Sequence, residues 1–367
     1  MDRKQQVPKQ EKQQLKPCKR RTLKEWMTSA ITSSTKDPSG SPNPLVLVLD
    51  GGTSTHLERT GSLPFSHNLW SSSLLMTEEG RNQISSCHDT FYSSGGCDIV
   101  TTVTYQCSHY VCHNIDDLSP FTELMVDELL GTGVNIAIDA RRRIPASSST
   151  KALVFTEQPR PESGAPADET SPDNGKYVAA SAGCYGAALA NGEEYTGYYG
   201  PYVGVHDLVE FHRRRFCLFM NHSVKRHYDS KGKLIEKDCV DGTNATMNER
   251  FLSLNGDCNN ANDNLDAVAF ETIPSLMEVE AIVTLLTEEK ELNYQKIIVE
   301  KDGKNHSLLP PSSPRPAVWI SLACKNGSQL NDGSLVTEAL DKLKSMDPDC
   351  ALVHGIGINC FAICHRK

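Results

Sequence analysis

A chain of 367 residues, 38% hydrophobic and 23% charged, has enough apolar sequence to bury a substantial core, as one large domain or two ordinary ones. Its net charge of −9 is unevenly placed: residues 1–36 carry ten Lys and Arg against three Asp and Glu, leaving −16 for the rest, which argues against a general nucleic-acid surface on the main body. No segment has the length and apolarity of a transmembrane helix, so the expectation is a cytoplasmic protein without a membrane partner.

The basic leader, residues 1–44, lacks the apolar run of a secretory signal and reads as a disordered or helical tail. It passes through a Ser/Pro/Gly-rich stretch at 38–44 into Leu45-Val46-Leu47-Val48-Leu49, an apolar run suited to a buried strand, which Asp50-Gly51-Gly52 ends abruptly. Similar runs recur at 98–105, 177–183, 267–272, 317–323 and 351–358. Their near-continuous apolarity favours parallel strands covered on both faces. Helical spacing fills the intervals at 76–93, 121–140, 205–220, 275–292 and 333–345. The alternation predicts an α/β protein of βα units. Six strands suit either an open doubly wound sheet or the first six units of an eight-stranded barrel. Polar stretches at 156–175 and 221–265 read as surface insertions.

Thirteen cysteines, odd in number and irregular in spacing, with several inside predicted strands, point to free thiols rather than a disulfide scaffold. Each is a small buried hydrophobe unless a metal recruits it.

In a parallel βα protein the loops after the strands converge on the site, so polar residues there carry most weight. Asp50 follows the first run directly. Its carboxylate suits an ammonium and the Gly51-Gly52 backbone suits a carboxylate, a tight turn being the alternative. Glu271 ends the run at 267–272, where burial demands a partner that an ammonium would supply; the alternative is a place beside a helix cap formed by Thr272 or Ser275. Tyr105 closes the second run, as a hydrogen-bond donor to substrate or as a core residue. Trp70 and His206 read as ordinary structural residues. Cys360 ends the last run and could serve as a thiolate ligand, with Cys364 and His365 close behind it; Cys107, Cys184 and Cys324 could reach the same end, whereas Cys97 and Cys350 read as packing residues.

Taken in order, Leu49-Asp50-Gly51-Gly52-Thr53-Ser54-Thr55, Leu69-Trp70-Ser71, His88 with Gly95 to Asp98, Thr102-Val103-Thr104-Tyr105-Gln106, Tyr185-Gly186-Ala187, Gly192-Glu193-Glu194-Tyr195-Thr196-Gly197, Phe211-His212, Phe270-Glu271-Thr272-Ile273-Pro274 and Gly357-Ile358-Asn359-Cys360 resemble the homocysteine S-methyltransferase family. The Glu-Tyr-Thr-Gly and Glu-Thr-Ile-Pro elements look closer to the S-methylmethionine or S-adenosylmethionine branch than to the betaine branch. The resemblance implies a TIM-type (β/α)8 barrel of which this chain holds about six units, in a homocysteine-binding domain at 45–360 followed by a short divergent tail at 361–367. It also implies methyl transfer from a sulfonium donor to L-homocysteine, forming methionine. Asp50 and Glu271 would hold the substrate ammonium and Gly51-Gly52 its carboxylate. Cys360 would be the first of three zinc-binding cysteines, the Zn2+ making homocysteine a thiolate nucleophile.

Three departures accompany the resemblance. Family members continue through two more barrel units to a Gly-Gly-Cys-Cys element, leaving Cys364 and His365 as substitute ligands here. The family's Gly-Pro-Tyr-Gly stands as Gly183-Cys184-Tyr185-Gly186, and 221–265 has no counterpart. The competing expectation is a non-catalytic amino-acid-binding or interaction protein, or an inactive truncated product.

Overall fold

The apolar runs pair as parallel strands. The computed structural model describes residues 22–25, 27, 47–61, 67–110, 122–145, 175–220, 265–291, 298–301, 304–307 and 315–359. The insertions expected at 156–175 and 221–265 lie outside them except for residues 175 and 265, and so does the tail at 361–367.

In chain order the strands are β1 (Ile99–Thr101), β2 (Tyr177–Gly183), β3 (Ala267–Ile273), the antiparallel hairpin β4 (Ile298–Lys301) and β5 (Lys304–Ser307), β6 (Ala317–Ala323) and β7 (Gly355–Asn359). The helices are α1 (Thr53–Thr60), α2 (Glu78–Ser93), α3 (Glu123–Arg143), α4 (Tyr185–Leu189), α5 (Val205–Met220), α6 (Leu276–Glu291) and α7 (Val336–Met346). Threonine caps open two of them: Thr77 accepts from Gly80 N at 3.1 Å before α2, and Thr122 from Met125 N at 3.2 Å before α3.

The main sheet runs β1-β2-β3-β6-β7, every neighbouring pair parallel. The first predicted strand extends this order: Leu49 bridges Ile99 in parallel, and Val48 O accepts from Asp98 N at 2.7 Å. Six segments in strict sequence order are barrel winding, since a doubly wound sheet reverses direction at a switch point. The described strands nevertheless form an open sheet. Leu49 at one edge is 43% exposed, and Ile356 and Ile358 at the other are 47% and 56% exposed. The described part is therefore a partial barrel with uncovered apolar edges.

One face of the sheet buries Val100, Val178, Ala180, Val268, Phe270, Val318 and Ile320 against the helices; each large apolar side chain removed from water there stabilises the fold by about 1.5–3 kcal/mol. α6 contributes Val279, Ile282, Val283, Leu285 and Leu286, all fully or almost fully buried. The opposite face collects Ile99, Tyr177, Ala179, Ala267, Ala269, Ala317 and Trp319, as the two-residue strand period requires. Within the expected leader, Leu23, only 1% exposed, and Met27 pack on this inner face. Thr22 and Glu25 close a reciprocal capping box at the start of that helical turn, with Thr22 N to Glu25 Oε2 at 2.8 Å and Glu25 N to Thr22 Oγ1 at 3.1 Å. Among the described residues no helix is long and apolar enough to cross a membrane.

Candidate functional site

The inner face changes character towards the C-terminal strand ends. On β2 the inward positions run Tyr177, Ala179, Ser181, and on β3 they run Ala267, Ala269, Glu271. Ser181 donates its hydroxyl to Glu271 Oε2 across the β2–β3 pair. Asp50 stands beyond Leu49, where it accepts from Thr101 N at 2.8 Å and from Thr101 Oγ1 at 3.1 Å, with Thr53 Oγ1 at 3.4 Å.

Burial pushes the Asp50 carboxyl up to about 7, and the nearby Glu271 adds to the shift against the opposing pull of the Thr101 hydrogen bond. Burial likewise raises Glu271, with Ser181 opposing. The structure thus brings together the two carboxylates singled out in the sequence. Among the described residues their hydrogen-bond partners are hydroxyls and one backbone N–H, with no basic side chain. A buried carboxylate pair in this setting favours a bound cation or a shared proton.

Gly51 and Gly52 are exposed and lead into the N-terminus of α1, where Gly52 supplies no side-chain cap. Unpaired N–H groups at such a helix start suit an anion.

Tyr105 is partly buried beyond β1, and burial holds its phenol well above the usual range, so it remains a proton donor at neutral pH. Thr272 hydrogen-bonds to it, and Cys184 Sγ lies 3.9 Å from its oxygen. Asn359 Nδ2 at the end of β7 donates to Thr272 Oγ1 at 2.9 Å. Thr272 has φ of +59° and sits where the β3–β6 register slips between Phe270 and Ile273. A β-branched residue in the left-handed region is strained by about 1–3 kcal/mol. The bulge turns the chain directly after Glu271, and the Thr272 hydroxyl ties three strand ends together.

Behind these residues lies a buried polar group that the residue-by-residue reading left out. Glu278 on α6, 0% exposed, accepts from Tyr185 N at 2.7 Å and Tyr199 Oη at 2.5 Å, and its Oε1 lies 2.9 Å from His212 Nε2. Arg215 Nη2 lies 3.0 Å from His212 Nδ1 and donates to Gly183 O at 2.7 Å. Burial lowers His212, which is therefore neutral, accepting from Arg215 at Nδ1 and donating to Glu278 from Nε2. Burial lowers Arg215 as well, to about 10, so its charge survives at neutral pH. The sequence signal was Phe211-His212 within the ordered set; Glu278 lies in the first turn of α6.

Cys107, Cys184 and Cys324 are buried, and burial raises the Cys184 and Cys324 thiols. Cys97 packs as expected, but Cys350 is exposed, on a turn where its φ is +50°. Trp70 begins a 3-10 segment (Trp70–Met76) at 37% exposure, and His206 is exposed on α5. Cys360, Cys364 and His365 lie outside the described residues. Among the described residues no three His, Cys, Asp or Glu side chains are grouped to hold a metal ion, so these residues do not fit a zinc site.

The family model for homocysteine S-methyltransferase matches residues 47–366. Homocysteine S-methyltransferase 2 of Arabidopsis thaliana is 26% identical over 317 residues, which is 85% of this chain and 68% of that protein. Homocysteine S-methyltransferase YbgG of Bacillus subtilis (strain 168) is 28% identical over 320 residues, 87% of this chain and 70% of that one. The fold is similar to the metallated homocysteine methyltransferase MmuM from Escherichia coli, with a TM-score of 0.52 and 23% identity over 87% of this chain and 76% of that one. Together with the match across most of the sequence, the ordered strand-end residues show that this chain belongs to the homocysteine S-methyltransferase family.

Proposed function

We propose that this chain transfers a methyl group from a sulfonium donor, S-methylmethionine or S-adenosylmethionine, to L-homocysteine, forming methionine. Family membership supports the reaction class. The observation that carries the site reading is the approach of Asp50, at the end of the first strand segment, to Glu271 on β3, each carboxylate raised by burial and, among the described residues, each without a basic partner.

In this reading the substrate ammonium enters between Asp50 and Glu271 and converts a costly like-charge pair into a cation site. The substrate carboxylate faces the exposed Gly51-Gly52 backbone and the N-terminus of α1. Tyr105, held protonated, supplies a hydrogen-bond donor beside them. With both ends of the amino acid held, its sulfur is directed away from the ammonium pocket for in-line attack. The homocysteine thiol first loses its proton to solvent. The thiolate electron pair then forms the new S–CH3 bond while the donor C–S bond breaks, its electrons returning to the donor sulfur. The leaving group is a neutral thioether and needs no general acid.

A zinc ion would rest on Cys360, with Cys364 and His365 as substitutes. The amino-acid-binding chemistry of Asp50, Glu271 and the glycine backbone needs no metal. We assign the activity to residues 45–360, after the leader at 1–44. Calorimetric titration with L-homocysteine tests the pocket. Asp50→Asn and Glu271→Gln are each expected to weaken binding by about 10- to 100-fold, the scale of a charge-assisted hydrogen bond. Wild-type affinity in both variants would refute the assignment.

A further inference from the structure

Glu194 lies between β2 and α5, in the 3-10 segment Glu193–Tyr195, at the same end of the sheet as Asp50 and Glu271. Its backbone is fixed on several sides. Asn331 Nδ2 donates to Glu194 O at 2.8 Å. A Cβ at Gly186 would meet Glu194 N at 2.4 Å, so the chain crosses Gly186 in close contact. Gly197, at φ +67°, lies so near the Pro274 carbonyl that a Cβ would stand 2.7 Å from it, which pins the loop to the turn after Glu271.

This anchoring holds up a carboxylate with one oxygen left unsatisfied among the described residues. Among the described residues Glu194 Oε2 is buried and accepts no hydrogen bond, although the carboxylate as a whole takes one from its own backbone N–H. Burial raises its proton affinity, and it is near enough to Tyr105 and Cys184 to raise theirs. An unpaired buried carboxylate oxygen is costly, and a fixed loop that preserves one preserves it for a cation. Tyr195 and Tyr198 on the same loop are 67% and 66% exposed, and aromatic faces attract cations.

Resting on the methyl-transfer reading, we propose that Glu194 recognises the positive charge on the sulfur of the methyl donor. Asp50 and Glu271 serve the ammonium of the acceptor, and Glu194 serves the sulfonium. The negative charge of Glu194 raises affinity for the charged donor over its uncharged product and so favours release of the thioether.

The test is calorimetric titration of the full chain and of Glu194→Gln with S-methyl-L-methionine, L-methionine and L-homocysteine. Wild type is expected to prefer S-methyl-L-methionine over L-methionine, which lacks the second S-methyl group and the sulfonium charge that comes with it. Glu194→Gln is expected to weaken S-methyl-L-methionine by about tenfold while leaving L-methionine and L-homocysteine unchanged. Retained L-homocysteine binding also shows that the variant is folded. Unchanged donor affinity, or an equal loss for S-methyl-L-methionine and L-methionine, overturns the role of Glu194 while the methyl-transfer reading stands. Failure of the wild type to bind L-homocysteine overturns that reading, and this role with it.

Discussion

Thr101 donates its backbone N–H to Asp50 Oδ2 at 2.8 Å, so the first strand-end carboxylate is held by the neighbouring strand and, among the described residues, by no basic side chain. This anchor orients Asp50 without neutralising it. Burial, reinforced by Glu271, raises the carboxyl to about 7 against the pull of this anchor, ready to ionise when a cation arrives.

A pH dependence follows. Asp50 must be charged to hold an ammonium, so L-methionine, whose sulfur does not titrate, is expected to bind more weakly as pH falls through about 7, losing up to about tenfold per pH unit below it. Stability of the unliganded chain runs the other way. The folded state binds the Asp50 proton more tightly than the unfolded chain, so this contribution is fully present below 3.8 and is lost as pH rises through about 7. Titrations at pH 6, 7 and 8 check the first trend, and thermal melts of wild type beside Asp50→Asn check the second. Affinity independent of pH across this window would show that Asp50 does not face the ammonium.

Gly183 ends β2 with its N–H donated to Tyr105 O at 3.0 Å. A Cβ there would stand 2.4 Å from that carbonyl and 2.9 Å from the Tyr105 ring. Gly183→Ala is expected to destabilise the fold by about 1–3 kcal/mol and to weaken amino-acid binding by displacing Tyr105. Urea unfolding measures the first effect; a variant as stable as wild type would contradict the packing.

Much of this architecture was legible in the sequence. β2 and β6 have the bounds of their apolar runs, and α5 those of its periodic segment, because continuous apolarity and 3.6-residue spacing report burial directly. Asp50 and Glu271 were legible because each interrupts or follows a run that has no other use for a charge. β1 is shorter than its run: beyond Thr101 the chain keeps contact with β2 through Thr102 N to Ala179 O and Gly183 N to Tyr105 O, without regular strand pairing. The β4–β5 hairpin escaped notice, as four-residue strands are too short to show a distinctive pattern. Thr272 was read as a cap candidate, and no local pattern announces a left-handed threonine at a bulge. Leu23 and Met27 were hidden by the charged residues around them, although Thr22 and Glu25 carry the spacing of a capping box.

The Glu278 network supports the rear of the site. Glu278→Leu would leave Tyr185 N, Tyr199 Oη and His212 without their buried acceptor, and is expected to cost about 3–5 kcal/mol. A melting temperature within error of wild type would mean that the carboxylate does not hold these groups.

Metal content separates the cysteines. Cys107, Cys184 and Cys324 are buried and join no metal-binding group among the described residues, so Ser at each position is expected to leave zinc content after dialysis unchanged, while Cys360→Ala lowers it. Loss of zinc in any of the three Ser variants would place that thiol on the metal.

The most direct measurement is methionine formation from L-homocysteine and S-methyl-L-methionine or S-adenosyl-L-methionine by the purified, zinc-supplemented chain, followed beside Asp50→Asn and Glu271→Gln. Methyl transfer predicts methionine in the wild type and a loss of about 100-fold or more in kcat/KM in either variant, since each removes a charge that positions the nucleophile. No methionine from either donor, with L-homocysteine still bound, would contradict it and identify a binding protein in place of a transferase.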